Sequence, residues 1–212
     1  MQMYLLIAGA LVIGLIAYTV WGMIRLQTPT KGPAIDLASR PGEALVIVDV
    51  QQDFTSGATY PPEAVDKALS RINSLIDDAR ARGVAIINIR HVFEGPYVNF
   101  LVRLLSGGRG GKRSAGLGPD PRLQQLADTE FVKQSGDAFS NPEFGRYLDG
   151  HRISRLVIVG LDGNSCVKST ADGALNRGYR VEIVEGAVLS NSASAWDRQK
   201  ARLETRGAEF AA

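Results

Sequence analysis

The sequence predicts an α/β domain, a three-layer α-β-α arrangement built on a mostly parallel six-stranded sheet. Two observations predict it. Short, almost wholly apolar β-branched runs recur along the chain, as expected of strands buried on both faces. Between them lie segments with apolar residues at helical spacing, and repeated β-α units of this kind favour an open sheet with helices on both sides. In order, ALVIVDV at 44–50 is the first strand, and residues 62–82 are a helix with Val65, Leu69, Ile72, Leu75, Ile76 and Ala79 on one face and Gly83 as its stop. VAIINIR at 84–90 is the second strand. A Gly-rich stretch, 91–120, interrupts the pattern as a lid or insertion loop, followed by a brief helix near 121–127 and a short extended segment, EFVK, at 130–133. The second half repeats the theme: a helix at 142–150, strand RLVIVG at 155–160, a helix at 165–177, strand RVEIVE at 180–185, a helix at 193–206 and a last strand at AEF.

Ahead of this domain, residues 3–24 carry no charge. At helical rise they match a hydrocarbon core of about 30 Å, with Tyr4, Tyr18 and Trp21 towards the ends, where aromatic rings favour the headgroup region. The expectation is an N-terminal transmembrane helix at 1–24, a flexible linker at 25–43 rich in Pro, Gly, Thr and Ser, and a catalytic domain at 44–212. No basic residue precedes the apolar run, whereas Arg25, Lys31 and Arg40 follow it. The positive-inside tendency then predicts a single-pass membrane protein with its domain in the cytoplasm.

Composition narrows the chemistry. Lys and Arg total 24 against 22 Asp and Glu, and the basic residues are scattered. The clustered positive face that nucleic acid requires is missing. One cysteine excludes an internal disulfide, and two histidines without a Cys pair are too few for a structural zinc cluster. SGGRGGKRS at 106–114 superficially looks like a phosphate loop but lacks its first Gly and the Ser or Thr after Gly-Lys.

In an open parallel sheet the ligand crevice lies beyond the carboxyl ends of the strands, where strand order reverses. Asp49 ends the first strand, in VIVDVQQDF, where a charge interrupts an apolar run. Cys166 follows the strand ending at Gly160, at the predicted start of a helix. A helix amino terminus favours a thiolate. If the order is 3-2-1-4-5-6, Asp49 and Cys166 face one crevice from opposite walls. These features alone leave Cys166 open between a reactive thiol and a packed core cysteine.

Three segments in order carry a more specific signal: VIVDVQQDF, FVKQSGDAF and GLDGNSCVKSTADGALNRGYRVEIVEGA. Together they resemble the isochorismatase-like cysteine hydrolases, a family that includes nicotinamidases, carbamoyl-amide hydrolases and ureidoacrylate hydrolases. The resemblance spans roughly residues 44 to 210. It implies Cys166 as nucleophile, Asp49 as general base and then acid, and Lys133 as the cation that poises both. It implies cleavage of a C–N bond in a small amide or carbamoyl compound through a thioester, an oxyanion held by backbone N–H groups including that of Cys166, and a cis peptide at Leu161-Asp162. A homo-oligomer is also implied. Asp53, Phe54 and Phe139 are candidates for the substrate pocket, although Phe54 as core and Asp53 as a loop cap are the plainer readings.

The sequence departs from the family pattern in three places. His91, in IRHVFEG, stands alone where metal-binding members add an Asp-x-His signature and a further His, so no metal or other cofactor is expected. Gly163 replaces a common Thr, and Glu185-Gly186-Ala187 stands where an Asp-Ala pair is usual. Tyr97, Phe100, Arg103, Arg109, Lys112 and Arg113 of the lid are candidate contacts for substrate or lipid headgroups. Two other readings compete with amide hydrolysis: vinyl-ether hydrolysis of the isochorismate type, which has no need of a thiol, and an inactive membrane-anchored scaffold.

Overall fold

The structure, a computed structural model, describes the backbone of residues 2–124 and 127–212, and their side chains other than those of 2, 3, 5–8, 10–12 and 23. Six parallel strands form one sheet: β1 (Gly42–Val48), β2 (Ala85–His91), β3 (Thr129–Lys133), β4 (Ile153–Leu161), β5 (Arg180–Leu189) and β6 (Glu209–Ala211), in the order β3-β2-β1-β4-β5-β6. The predicted order is therefore observed, and the switch point lies between β1 and β4.

Strand β1 shows why the apolar runs are continuous. Its side chains alternate between faces with period two. Leu45 and Ile47 pack in one cluster with Val65, Leu69, Ile72 and Ile76 of α3 (Pro62–Ala81). Val46 and Val48 pack in the other with Phe144 and Leu148 of α5 (Pro142–Gly150), Ala171 and Ala174 of α6 (Lys168–Leu175), and Leu203 of α7 (Ala193–Thr205). Both faces are covered, so neither admits a polar residue until the strand ends.

Three further helices are α1 (Gln2–Gln27), the short α2 (Gln52–Thr55) and α4 (Pro96–Ser106). The lid segment thus contains a helix where only an interruption was expected. Its signals are Pro96 at the first helical position and Gly107 in the left-handed conformation at the C-cap. The brief helix expected near 121–127 includes residues 125 and 126, which lie outside the described residues; 121 and 122 form a turn.

The expected transmembrane anchor is not supported: among the described residues, no helix is long and apolar enough to cross a membrane. Several side chains of the apolar run lie outside the described residues. Those described towards its C-terminal end meet the domain. Thr19 Oγ1 and Tyr97 OH share a hydrogen bond of 2.5 Å, the Tyr18 and Tyr97 rings lie 6.0 Å apart, and the carbonyl of Leu26 accepts from Gly136 N at 2.7 Å. Of the described apolar side chains of α1, Ile13, Leu15, Ile16, Val20 and Ile24 are exposed, and the helix meets the domain through these few contacts near its C-terminal end. With the span goes the basis for placing a single-pass protein's domain in the cytoplasm, since the flanking charges orient only a segment that crosses.

Within 25–43, the expected linker, Thr30 donates from both N and Oγ1 to Asp137 Oδ2 (2.7 and 2.6 Å), and its carbonyl accepts from Asn176 Nδ2 at 2.8 Å. Ile35 N donates to the Arg177 carbonyl at 2.9 Å. These bonds hold the end of α1 beside the sheet.

Candidate active site

Each reactive side chain sits at, or just beyond, the carboxyl end of a strand. Asp49 follows β1, His91 closes β2, Lys133 closes β3 and Cys166 lies five residues past the end of β4. Because the four strands are neighbours in the sheet and point the same way, four remote segments converge at the switch point.

Asp49 adopts φ 54°, turning its carboxylate out of the strand line. Asx residues tolerate this left-handed region better than most. Its N donates to Ile89 O at 2.8 Å and its carbonyl accepts from Gln51 N at 2.7 Å, which holds the turn. Lys133 is buried, and its ammonium donates to Asp49 Oδ2 at 2.8 Å and to Ser135 O at 3.0 Å, and meets His91 Nδ1 at 2.9 Å. Three donors thus face three acceptors, so the ammonium is fully satisfied.

Burial opposes the ammonium, but the neighbouring Asp49 and Cys166 outweigh it and hold Lys133 above its ordinary pKa. Burial raises Asp49, against the pull of Lys133, which makes it a better base than an exposed carboxylate. His91 is driven down to about 2 by burial and by the Lys133 charge, so it is neutral with Nδ1 accepting. That tautomer puts its proton on Nε2, which is buried without a partner among the described residues, as is Asp49 Oδ1.

Cys166 Sγ lies 4.0 Å from His91 Nδ1, and Asp49, His91 and Cys166 each offer an atom within 4.8 Å of one another. The expected depression of the thiol by a helix amino terminus is not found. Burial, with the Asp49 charge behind it, pushes Cys166 up to about 12. A physical reason is at hand: Cys166 lies inside a π-type turn, Gly163–Val167, ahead of α6, and a carboxylate lies beside it. The resting thiol is protonated, with an acceptor next to it.

The Leu161-Asp162 peptide bond is cis. The Asp162 carboxylate accepts from Asn164 N at 2.7 Å, Asn191 N at 2.7 Å and Tyr60 OH at 3.0 Å, pinning the loop that carries Cys166. Leu161 and Asp162 line the same cavity as Asp49, His91 and Cys166, which encloses about 560 Å³. Asp53 and Phe54 also line it. Asp53 accepts from Gly110 N at 2.6 Å and Ser114 Oγ at 2.8 Å, so it ties the lid segment to the first motif. Phe139 does not line the cavity. It is a core residue, its ring 4.8 Å from that of Phe144 and capped by the Arg177 guanidinium at 4.5 Å. Of the lid candidates, Tyr97 and Arg109 border the cavity, and Phe100, Arg103, Lys112 and Arg113 do not.

His91 is the site residue that sequence reasoning missed. Its signal was the position at a strand end, equivalent to that of Asp49. The two other departures have local causes. A Cβ at Gly163 would stand 3.0 Å from the Trp196 ring and 3.1 Å from Val188, so Gly makes room for an indole. Glu185 is an exposed partner of Lys200 at 2.7 Å, outside the cavity.

A doubly wound sheet thus brings a cysteine, a carboxylate and a buried lysine together at its switch point. An isochorismatase domain model matches residues 43–212, and the chain belongs to the isochorismatase family. Two streptothricin hydrolases of Streptomyces noursei are 29% identical, one over 90% of this chain and 71% of its own length, the other over 80% and 59%. The nicotinamidase of Escherichia coli K12 is 26% identical over 68% of this chain and 81% of its own. Among solved structures, the zinc complex of Pyrococcus horikoshii pyrazinamidase is 26% identical (80% of this chain, 98% of that one, TM-score 0.67). The N-carbamoylsarcosine amidase of Thermoplasma acidophilum is likewise 26% identical (80% and 95%, TM-score 0.68).

The zinc in the first of these makes a metal a question for this chain, and Asp49, His91 and Cys166 do converge. Lys133, however, places a fixed positive charge in hydrogen-bond contact with two of the three. A second cation there would meet that charge at close range in a buried setting. This donor set does not fit a metal ion.

Proposed function

We propose that the chain hydrolyses a C–N bond through a thioester on Cys166, with Asp49 as the proton carrier and Lys133 as the charge that keeps Asp49 in place. The broader class, a hydrolase of carbon–nitrogen bonds other than peptide bonds, rests on the family and on relatives named streptothricin hydrolase, nicotinamidase and N-carbamoylsarcosine amidase. One observation supports the finer reading above others: the sole cysteine stands in a cavity beside a buried carboxylate whose second oxygen has no partner among the described residues.

That oxygen takes the thiol proton as Sγ attacks the carbonyl carbon. The developing oxyanion is held by the backbone N–H of Cys166, since those of Asn164, Ser165 and Val167 donate to Asp162. Asp49 returns the proton to the nitrogen, the C–N bond breaks, and an amine or ammonia departs, leaving a thioester. Water then enters, Asp49 takes its proton, the hydroxide adds to the thioester carbon, and the acid is released as the proton restores the thiol. A vinyl-ether hydrolysis needs no thiol, and the departures at Gly163 and Glu185 leave the cluster untouched.

The test is ammonia release across a panel of primary amides and carbamoyl compounds. Cys166→Ala should lose turnover, and Asp49→Asn should lower kcat by roughly 10²- to 10⁴-fold. Removing the Asp49 charge while Lys133 remains should lower the thiol pKa, so iodoacetamide should label Asp49→Asn faster than wild type at mildly alkaline pH even as hydrolysis is lost. Turnover that survives Cys166→Ala would refute the thioester route.

A further inference from the structure

We infer that the substrate of this site carries its scissile C–N bond on an extended apolar body, an alkyl chain or a comparable hydrocarbon, seated between α1 and α4. The inference rests on the proposed reaction only for the position of the scissile bond. The cavity has a polar floor and apolar walls. The floor holds Asp49, His91 and Cys166, whereas α4 contributes Val98, Leu101, Val102 and Leu105, and α1 contributes Tyr18 and Leu26.

What matters is how few polar groups on the walls are left to meet a substrate. Thr19 and Tyr97 spend their hydroxyls on each other at 2.5 Å. Asp53 is bonded to Gly110 N and Ser114 Oγ, and Asp162 to Asn164 N, Asn191 N and Tyr60 OH. Arg109 is exposed. A polar substrate body placed against these walls would give up water without gaining partners, at a cost of the order of 1–3 kcal/mol per group. An apolar body gains by the same transfer. At about 560 Å³ the cavity is of the size that holds a drug-sized ligand, well beyond the needs of a bare amide group.

The test uses the full chain and its one cysteine, which makes every covalent adduct unambiguous. N-alkyl iodoacetamides from ethyl to decyl are reacted with the protein below their aggregation limits, and the concentration for half-maximal rate is read for each. Affinity should rise roughly three- to fourfold per methylene while the chain still fits, with little change in the limiting rate. Leu101→Glu, on the cavity wall, should flatten that rise; Leu104→Glu, on the same helix but outside the cavity, should keep it. A wild-type series that is flat or falls with chain length overturns the inference without any variant. The hydrolase reading fails separately. Rising affinity with no Cys166-dependent ammonia release from any amide, decanamide included, refutes the reaction and leaves the apolar site. Turnover of short or polar amides with a flat alkyl series refutes the apolar site and leaves the reaction.

Discussion

At the scale of single residues, the site works by arranging which groups are allowed charge. Asp49 is raised by burial against the pull of Lys133, 2.8 Å away, and His91 is kept neutral by burial and by the same lysine. That neutrality has a measurable consequence. The folded pKa of His91 lies near 2, far below its ordinary 6.5, so between these values the unfolded chain binds a proton that the folded chain does not. Stability from this group is fully present above pH 6.5 and is lost as pH falls, by about 1.4 kcal/mol per pH unit. His91→Asn keeps an acceptor for Lys133 and removes the titration. Urea unfolding at about pH 7 and about pH 5.5 should therefore show wild type losing roughly 1.3 kcal/mol more than the variant. Equal losses would mean that His91 is protonated in the folded state. Asp49, Lys133 and Cys166 were legible because each interrupts or ends a strongly patterned segment within a family motif. His91 was not, because a lone histidine at a strand end has no partner in sequence; its partners come from β1, β3 and the Cys166 turn, which only folding brings together.

The strands and their ends were the most legible elements. Continuous apolar runs such as ALVIVDV fit strands buried on two faces, and the right-handedness of β-α-β crossovers restricts the sheet orders open to them. Less legible was how closely β1 and β4 approach at the switch point. Gly160 has φ 114°, and a Cβ there would collide with the backbone of Val48, including its carbonyl oxygen. The glycine is required twice over, for its backbone conformation and for the strand contact that sets Asp49 against the Cys166 turn. Gly160→Ala should thus destabilise by about 3 kcal/mol or more. Gly178→Ala, also at positive φ but with nothing within 4 Å of the added carbon, should cost less because only the conformation is strained. Thermal unfolding of the two variants side by side distinguishes strain from collision; equal losses would remove the argument for a close approach. Helix α4 was hidden for a different reason. Its amphipathic pattern is short and lies in a glycine-rich window, and its apolar face belongs to a cavity and not to the core.

For the molecule as a whole, four neighbouring strands of the six gather Asp49, His91, Lys133 and Cys166 at the sheet's carboxyl edge, and two helices outside the sheet supply the walls. Sequence alone misassigned the first of these helices because an uncharged run reads the same whether or not it crosses a membrane; among its described residues, only Tyr18, Thr19, Gly22 and Leu26 border the cavity. Only the tertiary partner tells the two cases apart: Tyr97 against Thr19, Gly136 against the Leu26 carbonyl, and Asp137 against Thr30 just beyond the helix. If α1 is a wall of the reaction cavity, a charge introduced near its C-terminal end should be felt at the thiol. Leu26 is half-buried and borders the cavity, so Leu26→Glu should weaken decyl iodoacetamide by more than tenfold if the buried chain loses about two methylenes' worth of contact. Ile24→Glu, exposed on the same helix and outside the cavity, should leave the decyl affinity as it was. Thermal midpoints of both variants guard against unfolding as the cause. Indifference of the labelling to Leu26→Glu, with the midpoint unchanged, would mean that α1 leaves the domain in solution, and the cavity would then have only the α4 wall.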